Sequence, residues 1–171
     1  GEPGAFARVE GRRDLALAPP TRSALDVLAD AGVPVHAVGK VADLFCGRGI
    51  SEAHPGATNA VALEQTTRLL RELDAGLVFT NLIETDQVFG HRKDAEGFHA
   101  ALREIDAAVG TWLELLRPGD LLVITADHGV DPAAAHTDHT REHAPLLAVT
   151  APQRIRGRWD GALADVGASV V

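Results

Sequence analysis

Short, almost unbroken apolar runs alternate with amphipathic helical stretches along most of this chain, and few folds accommodate that order. Val33, Val35, Ala37 and Val38 form the first run, residues 77–83 the second, Leu121–Thr125 the third and Pro145–Val149 the fourth. A strand that is apolar on consecutive residues needs cover on both faces, which points to a parallel sheet with helices packed above and below. The stretches between the runs supply those helices. Thr21 caps a first one, with Ala24, Leu25, Leu28 and Ala31 as its stripe and Gly32 as its end. A second spans about Thr58 to Asp74, turning Leu63, Leu69, Leu70 and Leu73 inward before Gly76. The longest spans about Asp94 to Leu116. Its Phe98, Leu102, Ile105, Val109, Trp112 and Leu116 step by 4, 3, 4, 3 and 4 residues, so one face stays apolar until Pro118-Gly119 stops it. A short helix is expected near Gly161–Ala168, and residues 43–57 are rich in glycine and turn formers. The class is therefore α/β.

Residues 1–20 are different in kind. Alternation at 5–9 and 14–18 suggests two short strands around a turn at Gly11. Two strands are marginal alone, so this segment reads as the tail of another sheet. The organisation expected is a β-rich tail over 1–20 and an α/β core over 21–171.

Composition removes several function classes. Sixteen basic residues against 24 acidic ones give a formal charge of −8, which disfavours nucleic acid as a partner. No apolar run approaches the ~20 residues that cross a bilayer, so no membrane partner is expected. Cys46 is the single cysteine; it fits a reducing cytoplasm and reads as a partly buried structural thiol rather than a nucleophile. Methionine is absent and Gly1 opens directly into GEPG, so the chain is read as a piece of a longer one.

The chemistry gathers after two strand ends. Four of the eight histidines, His128, His136, His139 and His143, fall within 16 residues, with Asp127, Asp131 and Asp138 among them. Asp127-His128 emerges just past the run 121–125, and Asp86 and His91 follow the run 77–83 in the same way. Ligands of open parallel sheets bind beyond the carboxyl ends of the strands. Carboxylates mixed with imidazoles suit Mn²⁺ or Zn²⁺, and the lack of a nearby cysteine argues against a structural zinc site. Two such ions ~4 Å apart suit a phosphoryl group with its entering and leaving oxygens.

TADHG (125–129) followed by TDHTREH (137–143) resembles the alkaline-phosphatase superfamily, and the second string resembles the phosphopentomutase family within it. The likeness extends to NLIETDQVFGHRKDAEGF (81–98), VGKVADLFCGRGI (38–50) and GEPGAFARVEGRRDLALAPP (1–20), the last similar to the end of that family's cap domain. TADHG is shared with related phosphoglycerate mutases, whereas TDHTREH with the loop Asp86–Arg92 is specific. The resemblance implies an alkaline-phosphatase-like parallel-sheet core flanked by helices, two divalent metal ions, most naturally Mn²⁺, and a pentose phosphate substrate. Asp127 and His128 would hold one ion together with an aspartate upstream of this chain; Asp86, His91 and His139 would hold the second. His143 reads as structural, and His36, His54, His99 and His136 as non-ligands. Arg8, Arg12 and Arg13 in the tail and Lys40 in the core are candidates for sugar-phosphate contacts.

The implied reaction interconverts ribose 1-phosphate, or its 2-deoxy form, with ribose 5-phosphate through a phosphorylated threonine. That threonine has no counterpart here, and neither Thr125 nor Thr140 takes its place. The 171 residues alone are therefore expected to lack mutase activity and to expose an apolar sheet edge. Two other readings stay open: another enzyme of the superfamily, such as a metal-dependent phosphoglycerate mutase, or a non-catalytic metal-binding module.

Overall fold

The computed structural model describes residues 2–5, 16–151, 160–162 and 164–168. Of the two strands expected in the tail, the one at 5–9 falls largely on residues 6–15, outside the described residues, whereas Ala16, Leu17 and Ala18 of the one at 14–18 are described and form no strand.

Helix α1, Ala24–Asp30, starts two residues into the expected stretch and is capped by Ser23 rather than Thr21. The reason is the Ser-x-x-Asp spacing. The Ser23 backbone N–H donates to the Asp26 carboxylate at 2.7 Å while the Ser23 hydroxyl accepts from the Asp26 N–H at 3.4 Å, a reciprocal pair that Thr21 and Ala24 cannot form. These backbone and side-chain bonds to Ser23, together with the Arg48 guanidinium at 2.8 Å, hold the Asp26 carboxyl below its usual range although burial opposes them.

Strand β1, Val35–Val38, follows and is buried at every position. It is the centre of a parallel sheet ordered β2-β1-β3, with β2 at Glu52–His54 and β3 at Leu77–Thr80. The glycine-rich stretch thus holds a short helix α2, Val41–Leu44, and the edge strand β2, neither of which its turn-like composition reveals. Successive side chains of β1 alternate between faces. Val35 packs with Leu25 and Leu28 of α1 on one side, whereas Val38 packs with Ala62 and Leu69 on the other. These last two belong to α3, Asn59–Glu72, which is capped by Thr58. Helix, sheet and helix form the expected covered core.

Gly39 ends β1 at φ +76°, and a Cβ there would sit 2.7 Å from the Asn81 carbonyl oxygen. Only glycine lets the chain leaving β1 pass so close to the chain leaving β3. That closeness puts the two strand ends, and whatever follows them, on one rim.

A π-helical turn at Thr85–Gly90 leads into α4, Ala95–Leu115. Trp112 anchors α4 on α3: its indole N–H donates to the Thr67 hydroxyl at 2.8 Å. Strands β4, Leu121–Thr125, and β5, Leu146–Thr150, lie where the apolar runs place them, but they pair with each other and antiparallel, with Leu121 opposite Thr150. A parallel return needs a crossover, commonly helical. Residues 126–145 form a polar loop without a helix, so the chain doubles back instead. Leu121, Leu146 and Leu147 of this pair remain exposed. The last helix, α5, covers Ala164–Ala168. Cys46 is exposed rather than partly buried; it sits in a left-handed conformation, and its thiol contacts the Ala16 carbonyl at 3.4 Å. No helix among the described residues is long and apolar enough to cross a membrane.

Candidate metal centre

Asp86 lies in the π-helical turn that follows β3, and His91 caps the end of that turn. A one-residue widening of the helix is common where a side chain must be re-aimed at a functional position. The turn is fixed from behind by Glu84 and Asn59. The Glu84 backbone N–H donates to Asn59 Oδ1 at 3.1 Å, and the Asn59 N–H donates to the Glu84 carboxylate at 2.6 Å. Asn59 is buried, so this reciprocal tie is shielded from water.

The other half comes from the loop between β4 and β5. Thr140 N–H donates to the Gly129 carbonyl at 3.0 Å, closing the loop across a single antiparallel bridge. That closure stacks His128 on His139, with ring centroids 3.4 Å apart and planes 13° from parallel. The halves meet where Gly90 faces Val130; a Cβ on Gly90 would stand 2.6 Å from a Val130 methyl.

Three imidazoles then converge on one carboxylate oxygen. Asp86 Oδ1 lies 3.2 Å from His91 Nε2, 3.2 Å from His139 Nε2 and 4.0 Å from His128 Nε2. Asp127 Oδ1 is 3.7 Å from His128 Nε2, with its side chain 85% exposed on the open side. The tautomers of two rings follow from their far nitrogens. His91 Nδ1 is 2.6 Å from the Thr137 carbonyl and His128 Nδ1 is 3.0 Å from the Gly129 carbonyl. A carbonyl can only accept, so each Nδ1 carries the proton, and in the neutral ring the Nε2 lone pair faces Asp86.

Lone pairs aimed at an acceptor-only oxygen repel one another unless a cation lies between them. Asp86 Oδ1 is buried and makes no hydrogen bond, as a carboxylate oxygen reserved for an ion would be. The spacing agrees: ligand atoms ~2.1 Å from one ion stand roughly 3.0 to 3.4 Å apart in octahedral or tetrahedral geometry. Asp86, His128 and His139 group as ligands of one ion by donor-atom distance alone, with His91 against the same oxygen. The residues present therefore fit a divalent ion, and the carbonyl-oriented imidazoles are what such a centre needs.

The remaining sequence candidates are placed differently. Lys40 is half-buried at the start of α2, on the rim that Gly39 and Asn81 define. Arg8, Arg12 and Arg13 lie outside the described residues. His143 is exposed. Asn59, Glu84 and the Thr137 carbonyl escape a reading based on residue type; a single asparagine at a helix start carries no signal of its partner 25 residues away. The structure also gathers two histidines set aside as non-ligands. His36 and His54 are both buried, with His36 Nδ1 3.0 Å from His54 Nε2. Burial holds the His54 imidazole below its usual range, the Glu52 carboxylate works against that, and His36 and Arg68 add to it.

A carboxylate and several imidazoles beyond the strand ends of an α/β core are a donor set that could hold a metal ion, the mark of a metal-binding α/β domain. Residues 8–171 match the Metalloenzyme superfamily model, and the chain belongs to that superfamily. Among its curated relatives are the phosphopentomutases of Anaeromyxobacter sp. (strain K), 48% identical over 176 aligned residues, and of Caldanaerobacter subterraneus subsp. tengcongensis, 42% identical over 173. Each alignment covers 99% of this chain and 44% of the relative. The phosphopentomutase of Syntrophotalea carbinolica is 47% identical across 90% of this chain and 39% of its own length. The chain thus spans less than half the length of the curated relatives it matches.

Proposed function

We propose that this chain is the metal-holding portion of a cytoplasmic phosphopentomutase, interconverting (deoxy)ribose 1-phosphate and (deoxy)ribose 5-phosphate. The observation that carries the reading is the convergence of His91, His128 and His139 on the unpartnered Asp86 oxygen. The likeness of the chain to phosphopentomutases along 99% of its length supports it.

Asp86, His91, Asp127, His128 and His139 are proposed as metal ligands for two ions, Mn²⁺ by donor type. Asp86 sits against His128 as well as against His91 and His139, a position from which it can serve both. When bound, the ions would supply positive charge for the oxygens of a transferring phosphoryl group. The chain's own residues aim and hold. The Thr137 and Gly129 carbonyls fix the imidazole tautomers, and Asn59 with Glu84 fixes the turn that carries Asp86. Lys40, on the adjoining rim, and Arg8, Arg12 and Arg13 are proposed to meet the sugar phosphate. The nucleophilic threonine is proposed to lie in the part of the relatives that this chain does not match, so the 171 residues alone turn nothing over.

The test is a chimera in which this chain replaces the matching 44% of the Anaeromyxobacter enzyme. With Mn²⁺ it should convert ribose 1-phosphate to ribose 5-phosphate and leave 3-phosphoglycerate untouched, and Asp86→Asn or His139→Ala should remove turnover while circular dichroism stays unchanged. A folded chimera that binds Mn²⁺ without turnover would favour a non-catalytic module. Activity retained in both variants would remove the metal reading.

A further inference from the structure

A second group of ligating side chains lies on the sheet itself and shares no residue with the Asp86 centre. In the parallel pairing of β1 with β2, His36 stands opposite Glu52 and Val38 opposite His54. Paired residues share a face and positions two apart share a face, so His36, Glu52 and His54 all project to the α3 side of the sheet. The register alone brings them together: 18 residues separate the two histidines in sequence.

Their donor atoms are close and few. His36 Nδ1 is 3.0 Å from His54 Nε2, and the rings stack at 5.3 Å. The Glu52 carboxylate reaches both, 3.8 Å from His36 Nδ1 and 3.8 Å from His54 Nδ1. One donor atom from each residue fits within the 4.8 Å span of a single ion's ligands. Two nitrogens bound tetrahedrally to one ion at ~2.05 Å stand about 3.3 Å apart, so the pair needs to part by only a few tenths of an ångström. The histidines are buried, whereas the Glu52 side chain is 62% exposed, which leaves a route for the ion and a water as fourth ligand.

We propose that His36, His54 and Glu52 bind a divalent ion of borderline softness, of the Zn²⁺ type, and so clip the three-residue edge strand β2 to the sheet centre. Two imidazoles and one carboxylate form a donor set that Zn²⁺ accepts and that hard Mg²⁺ or Ca²⁺ does not favour. A positive charge borders the group: the Arg68 guanidinium lies 3.4 Å from His54 Nδ1. It is held more closely by Glu72 at 2.6 Å and Gln65 at 3.0 Å, so ion binding forfeits only its longest contact.

The experiment uses the full 171-residue chain carrying Asp86→Asn and His139→Ala, which disables the first centre, stripped with chelator and titrated with Co²⁺ as a visible probe. One equivalent should bind with the absorption of a four-coordinate ion, be displaced by Zn²⁺, and raise the melting temperature. Adding Glu52→Gln should weaken Co²⁺ by about 10- to 100-fold or more, since losing even an outer partner of a ligand costs that much. His36→Gln should abolish binding; if that variant unfolds, the exposed Glu52 position decides. No Co²⁺ uptake, or an affinity that Glu52→Gln leaves within twofold, would overturn the proposal. The outcome is independent of whether the phosphopentomutase reading holds.

Discussion

Gly90→Ala and Gly110→Ala make a matched pair whose signs should differ. Gly90 is buried at the end of the π-helical turn, beside His91, and a Cβ there would stand 2.6 Å from Val130 Cγ2 and 3.0 Å from the Thr85 carbonyl oxygen. Ordinary carbon–carbon contact is ~3.5–4.0 Å, so the shortfall at Val130 is about 1 Å. Val130 is β-branched and stiff at χ1, so its methyl does not swing clear cheaply. The strain is relieved by moving the loop that carries Val130, which also carries His128 and His139, off the turn that carries Asp86 and His91. Overpacking of this kind costs about 1–3 kcal/mol. If that cost falls on the closed arrangement alone, divalent-ion affinity drops by roughly 5- to 150-fold. Gly110, inside α4, has nothing within 4 Å of the same Cβ, and alanine there should stabilise the helix by about 0.5–1 kcal/mol. Mn²⁺ titration by calorimetry, with a urea midpoint for each variant, separates the two effects. The reasoning fails if Gly90→Ala binds Mn²⁺ as the parent does, or if Gly110→Ala weakens binding equally.

Three further outcomes follow from single contacts. Asn59→Ala removes the acceptor for the Glu84 N–H and should lower Mn²⁺ affinity by loosening the turn before Asp86, with about 1–3 kcal/mol lost from stability; unchanged calorimetry would show the tie to be idle. Thr67→Val leaves the Trp112 indole N–H without its acceptor between α3 and α4, so the urea midpoint should fall by the equivalent of about 1–3 kcal/mol with altered tryptophan emission, and a parental midpoint would refute this. The His54 imidazole binds its proton less readily folded than unfolded, so the unfolded chain takes up more protons as pH falls below about 6.5. Stability of the chelated protein should accordingly fall with pH from there down to the lower folded value, and His54→Gln should flatten that part of the profile. Equal slopes in parent and variant would contradict the assignment.

Much of the framework is legible in residue order. The apolar runs at 121–125 and 77–83 and the 4-3-4 stripe of α4 predict their elements because such spacing is a local signal, although β3 ends at Thr80 and Phe79, Leu102 and Leu121 stay exposed. The edge strand β2 is hidden because only His54 of its three residues is buried and its pairing with β1 is non-local. The direction of β5 is hidden for a related reason: an apolar run marks a strand, not which way its neighbour travels.

By itself the amino-acid order determined the α/β class, the places of the longer helices and of the apolar strands, and which aspartates and histidines stand beyond strand ends, since these depend on periodicity and on motifs a few residues long. Tertiary structure decided the rest. It gave β4 and β5 their antiparallel pairing, set three imidazoles around one Asp86 oxygen, assigned Thr137 and Gly129 the task of orienting two of them, and brought His36 to His54 across two strands. Each of those depends on distances between segments far apart along the chain, and such distances are fixed only when the core packs.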